Sequence, residues 1–370
     1  MRVSVTSRIK ALKRWPMRWR KSAVIMKCWQ DTSQSRCVCH FIGAIVGIQR
    51  LLRTKKFRRI KYGILGRTNL NKRNLGNGFG ISEIGLGCGN LSYGYGDPIR
   101  LLQEAVEHGI TFFDTVSFHK NNMAEDVVGD ALRFYKSKTC VATRCDIGTK
   151  KMQLRERIQA MRKSVETSLN RLHRETIDLC YVAHMDIYVC VEAFAETMQQ
   201  LMREGKVRYW GLLNADLSIV QKANTIFPIT AVQNQYSLAR RNAENKLIAG
   251  LEKLHIGLVA ACPLGGQEMM NRYNYECRQI KQSNSEKQTA QRMTRENARI
   301  IEVVRNMAEM IGATPAQVML AWILQQRPWI VPIPGTRLRK RVYENIHAQA
   351  VDLTEYEWNM FNEELARHKI

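Results

Sequence analysis

Acidic residues are almost missing from the first part of this chain. Residues 1–75 hold 20 Lys/Arg and a single acid, Asp31, so they carry +19 of the +24 formal charge of the 370 residues. Everything after them carries +5, which is ordinary for a globular protein. The basic excess therefore excludes nothing about the rest of the chain and belongs to an N-terminal extension. Clustered Lys/Arg can bind polyanions without sequence specificity, and "MRVSVTSRIKALKRWPMRWR" is also Arg-rich and acid-free like a transit leader. No hydrophobic period runs across these residues, which predicts a poorly ordered tail.

Long apolar runs are missing as well. The longest, "FIGAIVGI" at 41–48, has eight residues, against about 20 for a membrane-spanning helix. Its distance from the start also excludes a secretory signal. The ten cysteines lack paired spacing, and "CVCH" at 37–40 finds no second half of a zinc site. Scattered thiols without a framework predict a reducing, cytoplasmic setting.

What is present is a regular alternation from about residue 80. Short runs that are apolar on both faces read as buried strands: "EIGLGC" (83–88), "TFFDT" (111–115), "TCVATR" (139–144), "IDLCYVA" (177–183), "VRYWGLL" (207–213), "AVQNQY" (231–236), "GLVAACPL" (257–264) and "WIVPIPG" (329–335). Segments with apolar residues three and four apart lie between them and read as helices. Gly109 and Gly205 sit where helices end, and Thr314-Pro315 opens another. Eight strand–helix units predict a (β/α)8 TIM barrel. An open doubly wound sheet is the alternative, but the first strand runs into "GLGCGNLSYGYG", which has no G-x-G-x-x-G opening a helix. The polar stretch at 278–298 reads as a mobile loop near the strand ends.

In such barrels the chemistry lies at the C-terminal ends of the strands. Strand two presents Asp114 and then His119; strand three ends in Arg144, strand four in His184 and strand five at Asn214. Strand six gives Gln233, strand seven Cys262, and strand eight leads into "PGTRLRKRVYEN".

These residues carry a resemblance. From about Asn74 to Leu365 the chain resembles the aldo-keto reductases, through "RNLGNGFGISEIGLGCGNLSYGYG", "FFDT", "EGKVRYWGL", "AVQNQYSL", "ATPAQVMLAWIL" and "PWIVPIPGT…EN" in order. It divides the chain into residues 1–73, outside the resemblance, and a barrel at 74–370. It implies a cytoplasmic oxidoreductase that reduces an aldehyde or ketone to an alcohol with NADPH (NADP). A small carbonyl compound would be its partner, with no nucleic acid partner indicated. The family's hydride chemistry uses an aspartate, a tyrosine, a lysine and a histidine. The tyrosine acts as a general acid whose proton affinity is tuned by the lysine–aspartate pair.

By position, the aspartate is Asp114 and the histidine His184, but His119 stands for the tyrosine and Arg144 for the lysine. Histidine still has a proton to donate near neutral pH. Arginine keeps its charge but does not exchange a proton there. At the nicotinamide end the resemblance implies Asn214, Gln233 and Leu264 as cofactor contacts, with Leu213 replacing a serine and Ala261 a stacking ring. The phosphate end is retained: Thr336, Arg337, Arg341, Glu344 and Asn345 would hold the adenosine 2′-phosphate and adenine. The basic residues among Arg337–Arg341 favour NADPH over NADH. Three functions fit: a reductase with weakened or altered catalysis, a non-catalytic NADPH-binding or sensing module, or a metal site built from His119, His184 and Asp114.

Overall fold

The computed structural model describes residues 70–94, 96–117, 123–149, 151–182, 191–266 and 284–367, and of residues 284–296 the backbone alone. His119, His184, the "CVCH" stretch, and residues 1–69 of the extension lie outside the described residues.

The chain begins with a hairpin of β1 (Lys72–Asn74) and β2 (Gly80–Ser82), antiparallel with Arg73 opposite Ile81. Its turn holds Asn77 and Gly78 at positive φ, the conformation these two residues adopt at least cost. Lys72 and Arg73, read from sequence as the end of the extension, are thus part of the folded unit. Arg73 donates to the carbonyls of Leu324, Arg327 and Ile330 at 2.7, 2.7 and 2.9 Å, tying the hairpin to the barrel.

Eight parallel strands follow: β3 (Leu86–Gly87), β4 (Phe112–Asp114), β5 (Cys140–Cys145), β6 (Ile177–Val182), β7 (Val207–Leu213), β8 (Ala231–Gln235), β9 (Gly257–Ala261) and β10 (Ile330–Pro332). Each neighbours the next in chain order. The last meets the first through Gly85 N–H to Pro332 O at 2.9 Å, Gly87 N–H to Pro334 O at 3.2 Å, and a bridge between Gly87 and Gly335. A Cβ on Gly87 would lie 2.9 Å from the Ile333 carbonyl, so the seam closes only around glycine. This is the (β/α)8 barrel expected from the apolar runs.

The helices are α1 (Pro98–Glu107), α2 (Ala124–Leu132), α3 (Leu154–Arg171), α4 (Val191–Arg203), α5 (Leu217–Ile226), α6 (Leu247–Leu254), α7 (Asn284–Ile311), α8 (Pro315–Gln326), α9 (Arg339–Ile346) and α10 (Glu355–Arg367). α8 starts where Thr314-Pro315 predicts, with a reciprocal cap: Thr314 Oγ1 accepts from Gln317 N–H and Gln317 Oε1 accepts from Thr314 N–H. Gly109 and Gly205 take positive φ after α1 and α4.

One expectation fails. Residues 284–298, read as part of a loop, form the first half of α7. Their Glu, Lys, Gln, Ala, Arg and Met are strong helix formers that carry no apolar stripe, so the amphipathic signal was absent while the propensity was high. Residues 278–283 lie outside the described residues.

Strand alternation creates two cores. Outward residues such as Phe113, Val141, Cys180, Trp210 and Leu258 meet the helices. Inward residues fill the lumen: Phe112, Ala142, Leu179, Tyr181, Ala231, Val259 and Val331, with Leu75, Phe79 and Ile81 of the hairpin closing the end where the strands begin. The opposite end of the lumen is left for polar residues.

Candidate active site

The period of two that fills the lumen also selects what its open end presents. Two residues beyond Phe112 comes Asp114, beyond Ala142 Arg144, beyond Gly211 Leu213, beyond Ala231 Gln233, and beyond Val259 Ala261. Asp114 pairs across the sheet with Ala142, Arg144 with Tyr181, and Leu213 with Gln233.

Three of these side chains close a ring. Arg144 Nη2 lies 3.5 Å from Asp114 Oδ1. The same Nη2 donates to Gln233 Oε1 at 2.7 Å, and Gln233 Nε2 donates to Asp114 Oδ2 at 2.6 Å. The Asp114 side chain is 3% exposed and that of Arg144 23%; Gln233 is fully buried. Burial pushes the Asp114 carboxyl up from 3.8 to about 6, a rise that the Arg144 charge and the Gln233 amide hold in check. Around the ring, the Tyr181 hydroxyl and Arg144 Nε are buried without a hydrogen-bond partner among the described residues. The phenol of Tyr181 faces Gln233 without closing a bond to it, and burial together with the Asp114 charge raises it well above its ordinary range. Ser117 Oγ donates to the Arg144 carbonyl at 2.6 Å and so fixes the segment that follows β4 onto β5.

Beside the ring, Asn214 is exposed at the end of β7 with φ of 51°, and its N–H donates to the Gln233 carbonyl at 2.8 Å. Asparagine tolerates this left-handed conformation better than most residues. Leu264 is buried after β9. Leu213 and Ala261 are partly buried and flank the lumen cluster.

The second half of the site is the segment from β10 into α9. Leu338 precedes α9 and offers no side-chain cap, so the first-turn amides of that helix receive no such partner. Thr336 Oγ1 accepts from the Leu338 N–H at 3.1 Å. Arg337 Nε donates to the Asn90 carbonyl at 2.9 Å, joining this segment to the one after β3. Arg339 is bound to the buried carboxylate of Glu104 on α1, which also holds Arg100. Arg341 pairs with Glu344, and Asn345 is buried. Arg337 and Lys340 are exposed. An uncapped helix start among exposed cations fits a phosphate group.

The structure therefore brings together Asp114, Arg144 and Gln233 in direct contact, sets Asn214 beside them, buries Leu264 in the core that meets the helices, and gathers Thr336, Arg337, Arg341, Glu344 and Asn345 on one segment. His119 and His184 fall outside the described residues, so their positions relative to Asp114 are left open. Among the described residues no group of three or more His, Cys, Asp or Glu could hold a metal ion. No single helix among them is long and apolar enough to cross a membrane. Sequence reasoning missed Tyr181, although the alternation that placed Leu179 in the lumen also places Tyr181 there. It also missed Glu104, whose partner Arg339 is 235 residues away and left no local trace.

The model of the aldo/keto reductase family matches residues 79–365. "Probable aldo-keto reductase 1" of Glycine max is 35% identical over 297 residues, covering 75% of this chain and 84% of that protein. Among solved structures, an aldo/keto reductase from Klebsiella pneumoniae in complex with NADP and acetate matches with a TM-score of 0.61 at 23% identity, over 79% of this chain and 95% of that one. Another structure, an aldo-keto reductase from Klebsiella pneumoniae in complex with NADPH, gives 0.61 at 24%, over 81% and 95%. A thermostable aldo-keto reductase with the inhibitor epalrestat gives 0.64 at 23%, over 80% and 100%. The chain belongs to the aldo/keto reductase family, and its barrel is that family's fold.

Proposed function

We propose that this protein is a cytoplasmic NADPH-dependent reductase of small aldehydes or ketones whose acid–base residues are altered. The observation that carries this reading is the buried Asp114–Arg144 pair at the open end of the lumen, in a chain of this family. The family's aspartate–lysine pair survives there as aspartate–arginine. In the proposal Asp114, His119, Arg144 and His184 carry the chemistry. NADPH supplies a hydride when bound. His119 donates the proton to the carbonyl oxygen, His184 orients that oxygen, and the Arg144 cation favours the neutral form of His119. Neutral imidazole is a weak acid, so turnover is slow. Asn214, Gln233 and Leu264 meet the nicotinamide end. Thr336, Arg337, Arg341, Glu344 and Asn345 hold the adenosine phosphate and adenine. Cofactor-bound neighbours from Klebsiella pneumoniae support the choice of dinucleotide.

A second reading has its own observation. Gln233 spends its amide on Asp114 and Arg144 rather than offering it to the nicotinamide, which suits a module that grips NADPH by its phosphate end without placing the nicotinamide for transfer. Steady-state reduction of a reactive aldehyde by the purified chain with NADPH separates the two. Measurable turnover that disappears in Asp114→Asn supports the reductase. Tight NADPH binding with no turnover, unchanged by restoring tyrosine at 119 and lysine at 144 together, supports the module.

A further inference from the structure

A guanidinium is not a longer ammonium. It is a planar fork that meets a carboxylate best through two parallel N–H···O bonds. Arg144 does not meet Asp114 that way. Its Nη2 stands 3.5 Å from Oδ1, beyond a good hydrogen bond, and its Nε is buried without a partner among the described residues. Two charged groups this buried need something else to hold them in register.

Gln233 fills that role in the geometry. A primary amide is neutral and carries a donor and an acceptor about 2 Å apart on one planar head. Here the donor reaches Asp114 Oδ2 at 2.6 Å and the acceptor takes Arg144 Nη2 at 2.7 Å. The backbone beneath it is fixed in the sheet: Gln233 pairs with Leu213 on β7 and with Val259 on β9, and its carbonyl accepts from Asn214 N–H. We propose that Gln233 is a positioning residue, an amide clamp that holds the arginine of this chain against Asp114 and so compensates for the loose fit of guanidinium to carboxylate. The clamp's consequence for catalysis rests on the reductase reading; its existence does not.

Among the described residues, the groups facing Asp114 are Arg144 from β5, Tyr181 from β6, Gln233 from β8 and Cys88 from the segment after β3, whose N–H donates to the Asp114 carbonyl. Burial drives the Cys88 thiol and the Tyr181 phenol well above their ordinary ranges, so neither changes charge where Asp114 does.

The test uses the full chain, free of cofactor and substrate, with ¹³C-labelled aspartate. The Asp114 carboxyl signal is assigned by its loss in Asp114→Asn and followed against pH, with histidine ring signals followed in parallel. Gln233→Met keeps the volume and removes both bonds. The expected result is a rise of the Asp114 titration by roughly one to two pH units and loss of the slowed rotation of the Arg144 Nη2 protons in ¹⁵N spectra. Gln233→Glu keeps the acceptor for Arg144 and loses the donor to Asp114. It should raise the titration while leaving the Arg144 signals slowed, and it serves if Gln233→Met does not fold. An unchanged Asp114 titration in either folded variant overturns the clamp. Because no dinucleotide is present, failure to bind NADPH would refute the functional reading without touching this result.

Discussion

The two ends of the candidate site are built in opposite ways. The reaction end is made of strand residues whose polar groups are turned on one another: Asp114, Arg144 and Gln233 close a ring, with Gln233 fully buried. The phosphate end is a loop and a helix start whose side chains reach outward, with Arg337 and Lys340 exposed and α9 without a side-chain cap. Side chains that already bond one another gain less from a new ligand, whereas exposed cations at a helix start offer charge to an anion. The difference teaches that binding of the dinucleotide and conversion of the substrate can be lost separately in this chain. In the proposed assignment, the substitutions relative to the family fall on the first end and spare the second.

The largest effect should come from repairing the reaction end. On the proposed assignment, His119→Tyr with Arg144→Lys restores the family's acid and its partner. General acid catalysis contributes about 10²–10⁴-fold, so turnover of a reactive aldehyde should rise by a substantial part of that factor. The double variant should exceed the sum of the singles, because the two groups act as a pair. Steady-state rates for the four proteins check this; a wild type that is already fast and collapses on His119→Tyr would show that histidine is the working acid.

Removing the cation alone probes the cost of the buried ring. Arg144→Met leaves Asp114 without a counter-charge, which costs roughly 3–5 kcal/mol when the carboxylate is ionised. The folded protein holds the Asp114 proton up to about 6 against an ordinary 3.8. This group's stabilising contribution is therefore complete below the ordinary value and is lost as pH rises through about 6. Without Arg144 the folded value climbs further, so the loss continues to higher pH. Urea denaturation should show the full deficit of Arg144→Met at pH 8 and a much smaller one at pH 5. Equal deficits would mean that Asp114 is not the group left exposed to the change.

Smaller effects should sort the cations of the phosphate end. Arg341→Ala should weaken NADPH by about tenfold or more, the worth of one charged hydrogen bond of roughly 1.5–3 kcal/mol. Arg339→Ala should weaken it by less, because Arg339 is held by the buried Glu104 of α1, whereas Arg341 pairs with Glu344, a residue assigned to the cofactor on its own helix. Calorimetric titration of both variants gives the ranking, and a reversed order would move the phosphate toward α1.

Much of this was legible before any coordinates. Eight runs apolar on both faces marked the strands, and the barrel they imply put Asp114 and Arg144 at strand ends, where the chemistry of such barrels lies. What was not legible depends on contacts between distant residues or on backbone preference without pattern. Gln233 reaches Asp114 across 119 positions, and nothing local to "AVQNQY" says that its amide faces a neighbouring pair rather than a ligand. Nothing local to Arg337–Arg341 says that Glu104 claims Arg339. The start of α7 was hidden because helix propensity without an apolar stripe resembles a polar loop.

The central claim is that the phosphate end still grips a 2′-phosphate while the reaction end has changed. The most direct measurement is the affinity of the wild-type chain for NADPH and for NADH, titrated under the same salt. NADPH should bind at least about tenfold more tightly, the difference between a phosphate held by charged side chains and none. Equal dissociation constants, or no binding of either dinucleotide by the folded protein, would contradict it.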